Sequence, residues 1–177
     1  MNNPEAVQLY IPTLEELDFY QSRLFDPDTM SYNAPWFPPN GCIPFPKEKW
    51  APWYERWVNQ EPERFYAYLQ RSRDKAFVGD VNFHYNPEDN WWDMGIVILA
   101  EERGKGYAKQ GLRLLLQRAF EVNHLSLLHN HFERGRQAAY HLHTLNGFKE
   151  GHEEDGIVHL YLTKEDYFNG LSDQSVV

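Results

Sequence analysis

Gly95-Ile96-Val97-Ile98-Leu99-Ala100-Glu101-Glu102-Arg103-Gly104-Lys105-Gly106-Tyr107-Ala108 decides how this chain is read. An apolar run of strand character leads into two closely spaced glycines. A helical stripe starts directly behind them: Ala108, Leu112, Leu115, Ala119 and Val122, flanked by Leu116 and Phe120. Glycines let backbone N–H groups turn inward with no Cβ in the way. The helix N-terminus adds donors that lack intrahelical partners and the positive end of the helix dipole. Arg103, Lys105 and Lys109 add formal charge. The composite is an anion cradle at a strand-to-helix junction, suited to a pyrophosphate. It is not a P-loop, because Gly104-Lys105-Gly106-Tyr107 lacks the Gly-Lys-Ser/Thr ending. It is not a dinucleotide fingerprint either, because Lys109 stands where the third glycine belongs.

Working outward, the spacing predicts strands at 7–11, 64–70, 76–86 and 91–99, the last three as an antiparallel meander. Thr13 with Glu16 is a capping-box pattern opening a helix, and Asp26-Pro27-Asp28 is expected to stop it. Six prolines between Met30 and Pro52, interleaved with Tyr32, Trp36, Phe37, Phe45 and Trp50, predict an irregular segment strapped onto the core, a pocket wall or an oligomer contact. A helix is expected over 46–59. A strand at 126–132, a helix at 137–146 closed by Gly147, and a hairpin of 148–150 and 157–163 complete the series. The expectation is one α+β domain over 1–169, with a mixed, mainly antiparallel sheet and helices on both faces, and a frayed tail at 170–177.

The chain has 177 residues, the length of one ordinary domain. The formal net charge of -9 argues against a nucleic-acid partner and would attract a cationic or amine-bearing substrate. The single cysteine, Cys42, excludes an internal disulfide and a cysteine-based zinc site. No apolar run approaches the ~20 residues of a membrane span. The first residues, Met1-Asn2-Asn3-Pro4-Glu5, lack a basic or apolar leader, so a cytoplasmic location is expected, with no membrane partner.

The cradle resembles the signature of the GCN5-related N-acetyltransferases, the GNAT superfamily: Arg/Gln-x-x-Gly-x-Gly/Ala, here Arg103 to Ala108 behind an apolar strand. A late helix ending in Gly147-Phe148 is a second shared feature, and the element order matches over roughly 7–163. The chain looks most similar to the branch that includes ribosomal-protein N-terminal acetyltransferases. The resemblance implies a splayed central strand pair and acetyl-CoA as cosubstrate. It implies that Arg103, Gly104, Lys105, Gly106, Tyr107 and Ala108 bind the coenzyme A pyrophosphate through their backbone. Ile96 and Ile98 would hold the pantetheine arm by main-chain bonds. It further implies direct acetyl transfer to a primary amine, either a small molecule or a protein N-terminus, in a chain that can pair as a homodimer.

Many members carry Asn-x-x-Ser-x-x-x-Tyr before the Gly-Phe, and the Tyr commonly protonates the leaving thiolate. Here those three positions hold Arg136, Ala139 and His143. A histidine with a pKa of about 6.5 can donate a proton near neutrality, so His143 is the candidate acid. An alkyl ammonium must lose a proton before it attacks a thioester. Asp93 heads the candidates for that base, followed by Glu101, His84, His129 and His131. His129-x-His131 also puts two imidazoles on one strand face, a pattern seen in metal pairs, but no third ligand stands at telling spacing, and no metal is expected. The departures at Arg136 and His143 keep a second reading open, a non-catalytic acyl-CoA-binding or interaction module.

Overall fold

The computed structural model describes residues 6–174, with side chains described to residue 172. Seven strands form one mixed sheet in the order β1-β2-β3-β4-β5-β7-β6. They are β1 (Val7–Tyr10), β2 (Arg64–Arg71), β3 (Phe77–Asn86), β4 (Trp91–Ile98), β5 (Leu127–Glu133), β6 (Lys149–Glu154) and β7 (Ile157–Thr163). The helices are α1 (Leu17–Leu24), α2 (Pro27–Asn33), α3 (Trp50–Trp57), α4 (Tyr107–Gln117), α5 (Gln137–Leu145) and α6 (Lys164–Gln174). β4 and β5 run parallel; β1–β2, β5–β7 and β6–β7 are antiparallel. This is the mixed α+β architecture expected from the sequence. The chain resolves into two compact units: residues up to 82 with 96–111, and 83–95 with 112 onward. No helix among the described residues is long and apolar enough to cross a membrane.

In the first unit, Leu17, Leu24, Met30, Ala34, Phe45 and Trp50 are buried together. Fully burying side chains of this size stabilises by about 1.5–3 kcal/mol each. The proline-rich segment is therefore strapped onto a core through Phe45 and Trp50, while Trp36 stays 68% exposed. Two local expectations change. Glu16 accepts from the Thr13 N–H at 2.9 Å, which is half of a capping box, and α1 begins only at Leu17. Asp26-Pro27 starts a helix rather than merely stopping one. Asp26 accepts from the Asp28 N–H at 3.2 Å as N-cap of α2, and proline suits the first helical position because its missing N–H has no partner there anyway. Gly79 on β3 lies against the Val97 carbonyl oxygen, where any Cβ would collide. That close approach lets the Leu99 N–H reach the Val78 carbonyl at 3.0 Å.

In the second unit, β5 pairs with β7 along its whole length, from Leu127 opposite Thr163 to Glu133 opposite Ile157. β4 meets β5 with Trp92 opposite Leu128 and Asp93 opposite His129. Strand alternation puts Leu128, Asn130 and Phe132 on one face and His129 and His131 on the other. The helical stripe buries Leu112, Leu115, Leu116, Ala119 and Phe120, but Val122 is 55% exposed. Residues 118–122 are π-helical, and the wider turn rotates Val122 off the stripe. The tail expected to fray from 170 is helical to residue 174, within α6, where Tyr167 stacks on Phe120 at 4.9 Å. Residues 175–177 lie outside the described ones.

Candidate functional site

The cradle belongs to the first unit. Gly104 has φ +77° and Gly106 φ +83°, left-handed values that favour glycine. Open space surrounds the Cβ position of both, with no other atom within 4 Å. Gly104, Lys105 and Gly106 are exposed and Ala108 half-buried, so their backbone is accessible. On β4 just before the loop, Ile98 is buried and Ile96 half-buried.

The cations of the loop do not all face a ligand. The Arg103 guanidinium donates to the Asp28 and Thr29 carbonyls at 3.4 and 3.2 Å and lies over the Tyr32 ring, so it ties the loop to α2. The Thr29 hydroxyl accepts from the Ala100 N–H at 2.8 Å, a second tie. Lys105 donates to Glu102 at 2.8 Å. The anion donors left by this arrangement are mainly backbone N–H groups at the start of α4.

A brace under the loop was invisible in the sequence. Arg71, buried on β2, donates to both Glu102 oxygens at 3.1 and 2.9 Å and to the Tyr107 hydroxyl at 3.3 Å. Glu102 and Tyr107 flank the two glycines, so one guanidinium fixes both ends of the turn. Burial alone would raise the Glu102 pKa; the Lys105 hydrogen bond and the Arg71 charge reverse this and hold it below the usual range. Bonds to Asp74 and then to Tyr107 raise the Arg71 pKa. The Tyr107 side chain is thus an anchor beneath the cradle, and any coenzyme contact falls to its backbone. No local pattern flags Arg71, because its partners lie three, 31 and 36 residues away.

The second unit gathers four of the five base candidates. Asp93 Oδ1 lies 2.5 Å from His129 Nδ1 and accepts from Trp91 Nε1 at 3.1 Å. Asp93 Oδ2 accepts from Asn86 Nδ2 at 3.1 Å and stands 4.0 Å from His84 Nε2. Partial burial pushes the Asp93 pKa up, but these donors and the two imidazoles outweigh burial and hold it below the ordinary carboxylate value. His129 Nε2 in turn meets His159 Nδ1 at 2.9 Å, and His131 stacks on both rings at 5.4 Å. Glu101, the fifth candidate, is exposed on a 3-10 turn in the first unit.

His143, the candidate acid, is 1% exposed on α5, packed against Phe132 and Phe148. Its Nδ1 is 2.8 Å from the Ala139 carbonyl, which can only accept, so Nδ1 carries the proton. Its Nε2 is then a lone pair accepting from Asn130 Nδ2 at 2.9 Å. Desolvation lowers its pKa to about 4, although the bond to Ala139 pulls the other way. In this state the imidazole is neutral near pH 7 and its one proton is committed to the helix backbone. In that geometry the side chain holds β5 to α5, with its proton on Nδ1 and a lone pair on Nε2.

The profile of the acetyltransferase (GNAT) domain matches residues 8–149, and the chain belongs to that family of acetyltransferases. Among solved structures, it is similar to a spermidine N-acetyltransferase from Vibrio cholerae in complex with CoA and spermine. Identity is 20% and the TM-score 0.76, covering 94% of this chain and 100% of that one. It is also similar to apo FdhC, a nucleotide-linked sugar GNAT, at 18% identity and TM-score 0.73, covering 97% and 94%. A GNAT-family acetyltransferase from Bacillus anthracis is similar at 14% identity and TM-score 0.70, covering 92% and 98%. No curated protein matches the sequence significantly.

Proposed function

We propose that the chain transfers the acetyl group of acetyl-CoA directly to a primary amine, and that the acceptor is a small cationic molecule. The observation that carries this is the loop at 103–108: two left-handed glycines under open space at the start of an 11-residue helix, braced from below. The backbone of Arg103, Gly104, Lys105, Gly106, Tyr107 and Ala108 binds the pyrophosphate, and the main chain of Ile96 and Ile98 receives the pantetheine arm. Main-chain N–H donors polarise the thioester carbonyl as negative charge builds on its oxygen. Asp93, ionised at neutral pH, attracts the ammonium and takes its proton through water. A leaving thiolate of pKa about 8.5 draws its proton from solvent, so no dedicated acid is required. Support for a cationic acceptor comes from the net charge of -9 and from the spermine held by the Vibrio cholerae structure.

The test is thiol release from acetyl-CoA with a panel of acceptors: spermidine, spermine, amino sugars and peptides with free N-termini. The expected result is acetylated product, identified by mass, with a polyamine among the best acceptors. Tight acetyl-CoA binding with no product from any amine would point instead to a non-catalytic acyl-CoA-binding module. Preference for peptides or sugars would keep the transferase and overturn the cationic acceptor.

A further inference from the structure

The second unit carries a cluster of which the proposed acetyl transfer uses Asp93 alone, and an ion held there would take the carboxylate that otherwise serves as base. His129 and His131 alternate onto one face of β5, and Asp93 stands opposite His129 on β4. Each of the three offers one ligand atom, and these atoms all lie within 4.8 Å of one another. The spacing along one strand supplies two nitrogens, and the parallel register supplies the carboxylate that no sequence pattern reveals. We propose that Asp93, His129 and His131 form a binding site for one divalent transition-metal ion of the zinc class.

The surroundings fit such an ion. Zinc bonds of about 2.0–2.2 Å put tetrahedral ligand atoms roughly 3.3 Å apart. The 2.5 Å contact between Asp93 Oδ1 and His129 Nδ1 therefore needs to open by less than an ångström, and the widest pair of ligand atoms, up to 4.8 Å apart, needs to close by about 1.5 Å, a movement the exposed His131 side chain can make. In the metal-free state His129 Nδ1–H donates to Asp93 and Nε2 accepts from His159 Nδ1. With the ion on Nδ1, the His129 proton moves to Nε2 and donates to His159 across the same 2.9 Å. His159 shifts its own proton to Nε2, so no proton is lost overall. A ligating histidine ordinarily gives its second N–H to an orienting acceptor, and His159 fills that place. Trp91 Nε1 and Asn86 Nδ2 hold the carboxylate from both sides at 3.1 Å. Asp93 is half-buried, His129 buried and His131 exposed, which gives an anchored site with an entry on the His131 side. A fourth position is left to water. Two imidazoles with one carboxylate suit zinc, nickel or copper, whereas calcium and magnesium prefer oxygen ligands throughout.

The experiment uses the full chain without an affinity tag. Zn²⁺ is titrated calorimetrically, and Co²⁺ is followed by its visible absorption. One ion per chain is expected, with a Kd of about 1 µM or tighter. His131→Ala should raise that Kd at least ~10-fold with unchanged circular dichroism, because an exposed side chain is removed. Asp93→Asn should weaken binding similarly and alter the Co²⁺ spectrum. Absence of stoichiometric binding overturns the site. So does equal affinity in His131→Ala, or a loss confined to His152→Ala, either of which would put the ion on other imidazoles. Binding is read without turnover, so its outcome is separable from that of the acetyl-transfer assay.

Discussion

His143 pays for its burial at low pH. Its folded pKa of about 4 lies below the ordinary 6.5, so between those values the unfolded chain binds a proton that the folded chain refuses. Stability therefore falls as pH drops through 6.5 towards 4. The loss between pH 7 and pH 5 should be about 2 kcal/mol from this residue, read as the difference between urea unfolding curves at the two pH values. His143→Asn should be less stable at pH 7 yet show a smaller change between them. If the acid role were His143's after all, His143→Ala would lower kcat by about 10²–10⁴-fold with the coenzyme Kd intact; the geometry predicts instead a stability loss and little change in kcat of the folded fraction. Gly106 is the other residue with a sharp expectation. Valine at φ +83° is strained, and its branches enter the space an anion would occupy. Gly106→Val should raise the coenzyme A Kd at least ~10-fold by calorimetry, and unchanged affinity in a folded variant would remove the cofactor assignment.

At the scale of elements, the cradle is a turn held by its neighbours. Arg103 ties it to α2, and Arg71 on β2 ties Glu102 to Tyr107. Removing Arg71 strips a buried carboxylate of two of its hydrogen bonds and leaves it to Lys105 alone, a loss below the ~3–5 kcal/mol of a wholly uncompensated buried charge. Arg71→Met should therefore unfold at markedly lower urea concentration, and coenzyme A binding should weaken in whatever remains folded. Arg71 with Glu102 exchanged together for Met and Leu should recover much of the stability, because the under-bonded buried carboxylate is gone. Recovery without coenzyme binding would separate bracing the turn from merely stabilising the unit. The start of α2 teaches a related lesson. Asp26-Pro27-Asp28 breaks α1 and caps the next helix with the same three residues, and only the chain direction at Asp26, φ -85° and ψ 104°, distinguishes the two uses.

For the whole molecule, the net charge of -9 gives a prediction that no single contact controls. Turnover at low concentrations of a cationic acceptor should fall as salt is raised from low ionic strength to about 0.15 M, where the screening length is about 8 Å. A neutral amine tested alongside should be far less sensitive, and equal salt dependence would discard steering. Much of the molecule was legible in the chain because it is local. Periodicity of two and of 3.6 residues located the strands and most helices, and the glycine pair between Ile98 and Ala108 announced the cradle, since a left-handed turn leaves few alternatives to glycine. Pairings between distant residues were not legible. Asp80 is 1% exposed against Arg23 of α1, at 2.7 Å, a pairing across 57 residues. Arg71 beneath the cradle, Asn130 on His143, and Asp93 against His129 are of the same kind. The sequence by itself determined which segments are strand, turn and helix, because backbone sterics and the alternation of apolar residues act within a few positions. Only the tertiary structure decided which ionisable groups are buried, which proton each imidazole keeps, and which charges are already spent, because those depend on partners that strand register brings together from dozens of residues away.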